Sequence, residues 1–262
     1  MEAEYRRHYR DLFERHWWWR ARSEFIIAAL QGLHLDAQRT NILDVGCGDG
    51  LFFERLSRFG KVEGIDIEEA LSPNSRWREQ IHSGSFDDSF QPQREYSVVL
   101  MLDVLEHLPD PQAALRNVRR LLADDGFFLA TVPAFQAAWT SHDVLNQHVT
   151  RFTKSSMRTL LEGEGFRITE QDYFFHWLWG AKLMVRAYET LLPREPQVPK
   201  VPATWINRLL YVFSRFEQAT LGRLPMPFGS SLIVLARNAS REGSQVPVAN
   251  QGSGDNLPAN RA

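Results

Sequence analysis

The sequence predicts a doubly wound α/β fold. Three observations predict it: short β-rich runs recur from Asn41 onward, helical segments separate them, and capping residues with Gly and Pro mark the joins. Parallel neighbours need crossover helices, so this alternation implies a largely parallel sheet with helices on both faces. Before it, Glu4 to Leu30 reads as one helix, rich in Arg and Glu, free of Pro, with the aromatic cluster His16-Trp17-Trp18-Trp19-Arg20. Asn41–Val45 is the first strand, and a glycine turn leads from it into a helix over Leu51–Phe59. Val62–Ile67 and Ser97–Leu102 follow as strands, with a weaker strand near Gln80–His82. Asp110 and Pro111 supply the N-cap and first turn of a helix through Leu122, closed by Asp124-Asp125-Gly126. Phe127–Val132 is the next strand. Thr153 opens a helix that stops near Gly163–Gly165, and Arg167–Glu170 and Leu232–Ala236 complete the strands.

Two segments interrupt the alternation. Phe174–Leu192 and Trp205–Ala219 both place apolar residues at helical spacing, and Pro193, Pro196, Pro199 and Pro202 make an extended linker between them. From Asn238 onward Gly, Ser, Pro and Asn dominate without aromatics, the composition of a disordered tail. Residues 1–237 are therefore expected to form one domain, with 4–30 an N-terminal helix, 173–220 a helical insertion or lid, and 238–262 a tail.

Composition narrows the function. The chain has 262 residues, formal net charge −2 and 44% hydrophobic residues, enough to bury a sizeable core. Its one cysteine, Cys47, excludes an internal disulfide framework. Near-neutral charge argues against a dedicated nucleic-acid binder. The charged start and the lack of an apolar run of about 18 residues predict neither signal peptide nor spanning helix, hence a cytoplasmic protein.

The stretch Ile42-Leu-Asp-Val-Gly46-Cys-Gly48-Asp-Gly50 carries the most chemistry. Glycines allow close approach of backbone to ligand, and open α/β sheets bind ligands at strand carboxyl ends. The next strand ends Gly64-Ile-Asp66, where an acid accepts hydrogen bonds from ribose hydroxyls. The dinucleotide fingerprint would require glycine at position 51, which is leucine, and a pyrophosphate would suffer beside Asp44 and Asp49. The loop therefore favours a ribose-bearing, phosphate-free, cationic ligand. A nicotinamide oxidoreductase is disfavoured by Leu51 and by the lack of a Tyr-x-x-x-Lys pair.

These residues resemble the class I S-adenosylmethionine-dependent methyltransferases. The likeness lies in Asp44 to Gly50, Gly64-Ile-Asp66, Tyr96 through Asp103-Val-Leu-Glu106-His107, Leu121 to Gly126, and Thr150-Arg-Phe-Thr-Lys through Gly165-Phe166. It covers about residues 12–172 and is nearest the branch shared with ubiquinone and menaquinone O- and C-methyltransferases. The resemblance implies a seven-stranded sheet of order 3-2-1-4-5-7-6 with the last strand antiparallel. It implies S-adenosyl-L-methionine as cofactor, bordered by Asp44, Gly46, Cys47, Gly48, Gly50, Asp66, Ile67, Leu102 and Asp103. Ser85 stands where many members carry Asp near the adenine, leaving Phe86 to stack.

Methyl transfer is an in-line displacement, so alignment of the nucleophile carries much of catalysis, and a hydroxyl nucleophile gains from a base. His107, after the strand Ser97–Leu102, is one candidate, with buttressing of its loop the competing role. His148 and Asp143, with His142, form a second polar group in the long loop after Pro133, read either as substrate wall or as lid. His142 and His148 are six residues apart, which is poor zinc spacing, so no metal is expected. Arg151 is expected to stabilise this loop. In the N-terminal helix Arg20 or Arg22 is a candidate clamp for the methionine carboxylate, weighed against solvated arginines on a packing helix. One or two of Trp17, Trp18 and Trp19 should pack on the sheet while another covers the cofactor.

Between Gln171 and Arg237 eight basic residues face four acidic ones in amphipathic, aromatic helices. This composition suits an interfacial membrane helix or an apolar-substrate lid, and equally helices packed on the sheet or a dimer contact. The expected activity is methyl transfer to a small-molecule acceptor, lipid- or glycan-linked acceptors included, with oxygen as the favoured nucleophile. A non-catalytic, cofactor-binding partner subunit is the alternative.

Overall fold

Strand β1 (Asn41–Val45) is buried from Ile42 to Val45 and pairs in parallel with β2 (Lys61–Asp66) on one side and β4 (Tyr96–Leu102) on the other. Apolar side chains on both faces are what a central parallel strand covered by helices demands. The computed structural model describes residues 3–67, 75–192, 198–220 and 224–239. Its seven strands form one sheet of order β3-β2-β1-β4-β5-β7-β6, where β3 is Ile81–Ser83, β5 Leu122–Pro133, β6 Phe166–Phe174 and β7 Ser231–Asn238. β7 runs antiparallel to both β5 and β6, and the other pairs are parallel. The order and the antiparallel strand are those implied by the family resemblance.

Eight α-helices are described: α1 (Ala3–Arg15), α2 (Trp17–Gly32), α3 (Phe53–Leu56), α4 (Pro111–Leu121), α5 (Ser141–Leu145), α6 (Lys154–Gly163), α7 (His176–Leu191) and α8 (Thr204–Thr220). One core cluster joins β1, β4, β5 and β7 to α4 and α6 through Val99, Met101, Leu115, Val118, Phe128 and Leu161. A second joins the sheet to α2 and the glycine turn through Ile26, Leu30, Ile42, Phe53 and Leu100. A third, smaller cluster of Trp17, Ala21, Phe25, Phe174 and Phe175 meets Trp177, Leu210 and Tyr211, and so ties the N-terminal helix to the insertion.

The differences from the sequence reading have local causes. The expected helix over 4–30 is two helices, because His16 is extended (φ −73°, ψ 133°) and its Nδ1 accepts the Trp18 amide, capping α2. Asn207 of α8 reinforces the break, accepting from Trp17 N at 2.8 Å and donating to the Arg15 carbonyl at 2.7 Å. The helix expected over Leu51–Phe59 contracts to the single turn α3, since three left-handed glycines shape the chain before it. The loop after Pro133, expected to lack regular helix, contains α5, started by a Thr140–Asp143 capping box. Asp124-Asp125-Gly126 lies within β5 rather than ending a helix, and β6 and β7 extend beyond their expected ends through antiparallel pairing. Asn238 closes β7 instead of opening the tail; 240–262, like Pro193 and Pro196 of the linker, lie outside the described residues.

The insertion α7–α8 leaves much apolar surface uncovered: Met184 is 70%, Leu191 80%, Trp205 71% and Phe216 64% exposed. α8 rests on α2, where Asn207 accepts from Trp17 N, while its buried Glu217 accepts from the backbone N of His176, the one buried residue of α7. Among the described residues no helix is long and apolar enough to cross a membrane.

Candidate active site

The glycine turn sits at the carboxyl end of β1. Gly46, Gly48 and Gly50 have φ of 74°, 54° and 71°, a region that residues with a Cβ enter only at a cost. A Cβ on Gly46 would stand 2.6 Å from Val104 Cγ2, whereas one on Gly48 would meet nothing within 4 Å. The first glycine is thus demanded by packing, and the second leaves open space where a ligand can reach the backbone. Asp66, ending β2, faces this turn: its Oδ2 accepts from Gly48 N at 2.6 Å and its Oδ1 from Ile67 N at 2.7 Å. The Gly84 amide donates to the Asp66 carbonyl at 2.9 Å, which holds exposed Ser85 and half-buried Phe86 in the loop beyond β3. Asp44 is buried beneath the turn. Burial pushes its carboxyl up to about 7, with Arg22 pulling it down and Asp66 pushing it further up. Burial also raises the Cys47 thiol, with Asp44 and Asp66 adding to the effect, so Cys47 is an inert packing group whose Sγ would lie 2.5 Å from a Cβ on Gly64.

A cavity of about 210 Å³ opens beside Gly46. Its floor is Leu102 and Asp103 at the end of β4, one wall is Trp18, Trp19 and Arg22 of α2, and the opposite wall is His107, His142, His148 and Arg151. Asp103 has φ 59°, an unusual conformation for a residue with a side chain. Of the two arginines, Arg22 lines the cavity: its Nε lies 2.9 Å from Asp103 Oδ2, and its Nη2 donates to Thr131 Oγ1 at 2.9 Å. Arg20 instead lies over the Tyr211 ring of α8 at 4.3 Å, away from the site. Trp17 packs against Phe175 and Trp177, leaving Trp18 and Trp19 to the cavity.

The loop after β5 is organised by Asp143, which is fully buried. It accepts from Arg151 Nε (2.8 Å) and Nη2 (2.9 Å), from Thr140 N (2.8 Å), and from His148 Nδ1 (2.8 Å). Burial alone would raise this carboxyl, yet the hydrogen bonds from His148 and Arg151 hold it well below the usual range. An ionised Asp143 on Nδ1 fixes the imidazole tautomer that leaves Nε2 as proton acceptor. Val149 N donates to the Glu106 carbonyl at 2.7 Å, which brings this loop against the turn after β4 and sets the His107 and His148 rings 4.8 Å apart at 82°. Burial lowers the His107 pKa, and His148 adds to the effect.

Two residues at this site escaped the sequence reading as individuals. Glu106 is fully buried, neither carboxylate oxygen finds a hydrogen-bond partner among the described residues, and burial and Asp103 push its pKa well up. Its carboxylate and the ring nitrogens of His107 and His148 offer ligand atoms within 4.8 Å of one another, a grouping that the His142–His148 spacing did not foretell. Lys182 of α7 also lines the cavity; its signal was a lone lysine inside an apolar helical stripe of an arginine-rich chain. Conversely Gly48, Gly50, Asp66, Ile67, Ser85 and Phe86 lie outside the cavity lining, around the turn itself.

The donor set at the glycine turn fits S-adenosylmethionine. Open space lies at Gly48, the Asp66 carboxylate stands beside it, and Arg22 lines the adjoining cavity.

A family model described as a methyltransferase domain matches residues 17–171. Among curated relatives, the ubiquinone biosynthesis O-methyltransferase of Pseudomonas paraeruginosa is 34% identical over 141 residues, 45% of this chain and 58% of its own length. The chain thus spans little more than half of that relative. A protein of Mycolicibacterium smegmatis named as a probable S-adenosylmethionine-dependent methyltransferase is 28% identical over 205 residues, 76% of this chain and 78% of its own length. In fold the chain is similar to a methyltransferase solved with the Haloferax volcanii Trm112 activator (TM-score 0.55, 18% identity, 87% of this chain and 91% of the other). It is likewise similar to a SAM-dependent methyltransferase from Archaeoglobus fulgidus (TM-score 0.52, 16% identity, 82% and 94%). With the glycine turn, the Asp66 contact and the sheet order already in place, the matched span shows that the chain belongs to the methyltransferase-domain family, the class I S-adenosylmethionine-dependent methyltransferases related to those of ubiquinone synthesis.

Proposed function

We propose that this chain methylates an oxygen of a small-molecule acceptor held between α2, the turn after β4 and the α5 loop. The observation that carries the reading is the Asp143–His148 hydrogen bond of 2.8 Å in a cavity that also reaches Gly46. When bound, S-adenosylmethionine supplies an electrophilic methyl on a sulfonium. Gly46, Gly48, Gly50 and Asp66 would hold its ribose and backbone-facing parts, and Arg22 its carboxylate. His148 is placed to accept the hydroxyl proton at Nε2 while the acceptor oxygen would take the methyl from sulfur, which would leave as a neutral thioether. Asp143 stabilises the resulting imidazolium, and a base so placed is worth roughly 10²–10⁴ in rate. Neutral His107 packs edge-on to His148 and restricts its ring. Trp18, Trp19, Leu12 and Leu145 exclude water from the reacting centre.

The acceptor is read as carrying an apolar body. The uncovered aromatic and aliphatic side chains of α7 and α8 support either an apolar acceptor or peripheral contact with a membrane surface. An oxygen nucleophile accords with the name of the Pseudomonas relative. The hydrogen-bonded Asp143 and His148 at the cavity support the enzyme reading over a non-catalytic partner subunit.

The test is label transfer from methyl-tritiated S-adenosylmethionine to a small molecule in native-host extract. Asp66→Ala should abolish transfer, and His148→Ala should slow it roughly 10²-fold or more with cofactor affinity unchanged. A labelled product methylated at carbon or nitrogen, or a His148→Ala protein at full rate, sinks the proposal.

A further inference from the structure

Among the described residues, both arginines that line the cavity are paired with carboxylates. Arg22 lies 2.9 Å from Asp103, and Arg151 lies 2.8 Å from Asp143. Glu106 is fully buried with neither carboxylate oxygen hydrogen-bonded among the described residues, and burial pushes its pKa well up. Lys182 projects from α7 into the same cavity, and its ammonium makes no hydrogen bond or ion pair among the described residues. Arg151 repels it, while Asp143 and Asp103 attract it from within pairs they already form with arginines. Burial therefore draws its pKa down to about 8, as expected of a cation that gives up hydration without gaining a partner.

A lysine on a surface helix ordinarily extends its ammonium into solvent. Here the neighbours Leu183, Met184 and Val185 occupy the exposed side of α7, and half-buried Lys182 lines the cavity together with His142, Asn146, Trp18 and Trp19. The arrangement is a cation at one end of a small, partly apolar chamber.

We propose that Lys182 is the residue that selects the acceptor, binding a carboxylate or phosphate group carried on an otherwise apolar acceptor molecule. This rests on the reading of the cavity as the acceptor site. The bound anion is a group other than the reacting oxygen. The nucleophilic oxygen gives up electron density as the methyl arrives, so a cation placed on it would slow transfer, whereas a cation on a second group orients the molecule at no such cost. The insertion thereby contributes specificity as well as cover.

The experiment uses the full chain saturated with S-adenosylhomocysteine and measures calorimetric binding of three probes: benzoate, phenyl phosphate and benzyl alcohol. The wild type should bind at least one anion roughly tenfold or more tightly than the alcohol, the size of one charge-assisted hydrogen bond. Lys182→Met and Lys182→Gln should both remove the preference, and Lys182→Arg should retain part of it. The better of the two anions tells carboxylate from phosphate. S-adenosylhomocysteine affinity, measured on the same samples, should be equal in all four proteins. An alcohol bound as tightly as the anions, no anion binding at millimolar concentration, or a preference surviving in Lys182→Met overturns the proposal. Loss of the oxygen-methylation reading would show separately, as full label transfer by His148→Ala while the anion preference still depends on Lys182.

Discussion

Asp143 and Arg151 bear the heaviest electrostatic load at the site, and their pairing can be measured without knowing the acceptor. Their side chains are 0% and 1% exposed. Asp143→Asn keeps the size and the hydrogen bond to Thr140 N, but removes the charge that faces two nitrogens of Arg151 and Nδ1 of His148. Arg151→Met removes the cation and the bond to the Ala134 carbonyl. Breaking a buried pair on one side costs about 3–5 kcal/mol because an uncompensated charge stays behind. That is a large part of the roughly 5–15 kcal/mol that holds a typical domain folded. The double variant leaves neither charge exposed to that penalty, so its loss in urea unfolding should fall about 2 kcal/mol or more short of the sum of the singles. Additivity to within about 0.5 kcal/mol, or single losses under about 1 kcal/mol, would refute the buried network. The pH dependence supplies a second check. The ordinary Asp value is 3.8 and the folded value lies well below it, so this stabilisation is present above pH 3.8 and is lost as pH falls beneath it. Asp143→Asn should lack that part of the acid limb.

Three further outcomes follow from the same geometry. Gly46→Ala drives a Cβ to 2.6 Å from Val104 at φ 74°, whereas Gly48→Ala meets open space and carries only the strain of φ 54°, so Gly46→Ala should lower Tm more and Gly48→Ala should weaken cofactor binding by calorimetry; equal Tm losses would contradict the assigned roles. Arg10 of α1 lies 2.6 Å from Asp49 of the glycine turn, an exposed contact worth up to about 1 kcal/mol, so Arg10→Ala should speed cofactor dissociation by no more than about fivefold in stopped-flow traces. His16 caps α2 as a neutral acceptor, and burial lowers its pKa from 6.5 to about 4. Its contribution is complete above pH 6.5 and shrinks as pH falls toward 4; His16→Ser keeps a cap acceptor and should flatten that part of the stability profile, an unchanged profile being the contrary result.

The amino-acid sequence alone specifies the α/β alternation, the glycine turn, Asp66 at the end of β2 and the capped starts of α4 and α6. Each is written in a few adjacent residues: a periodicity, a positive-φ glycine, a side chain that caps its own helix. It also placed His107, Asp143 and His148 on loops at the ligand-binding end of the sheet, because strand ends are local features too. Which of these side chains meet was decided by packing across long stretches of chain. Asn207 and His16 break the N-terminal helix and turn Arg22, not Arg20, toward Asp103. The bond from Val149 to the Glu106 carbonyl brings His148 against His107 from a separate loop. Lys182, read in sequence as one basic residue on an amphipathic helix, acquires a role only when α7 lies over the cavity. Local backbone preferences act within a turn or two, while the charge and solvation of a buried group depend on neighbours tens of residues away. The first can be read along the chain, and the second exists only once the chain has folded.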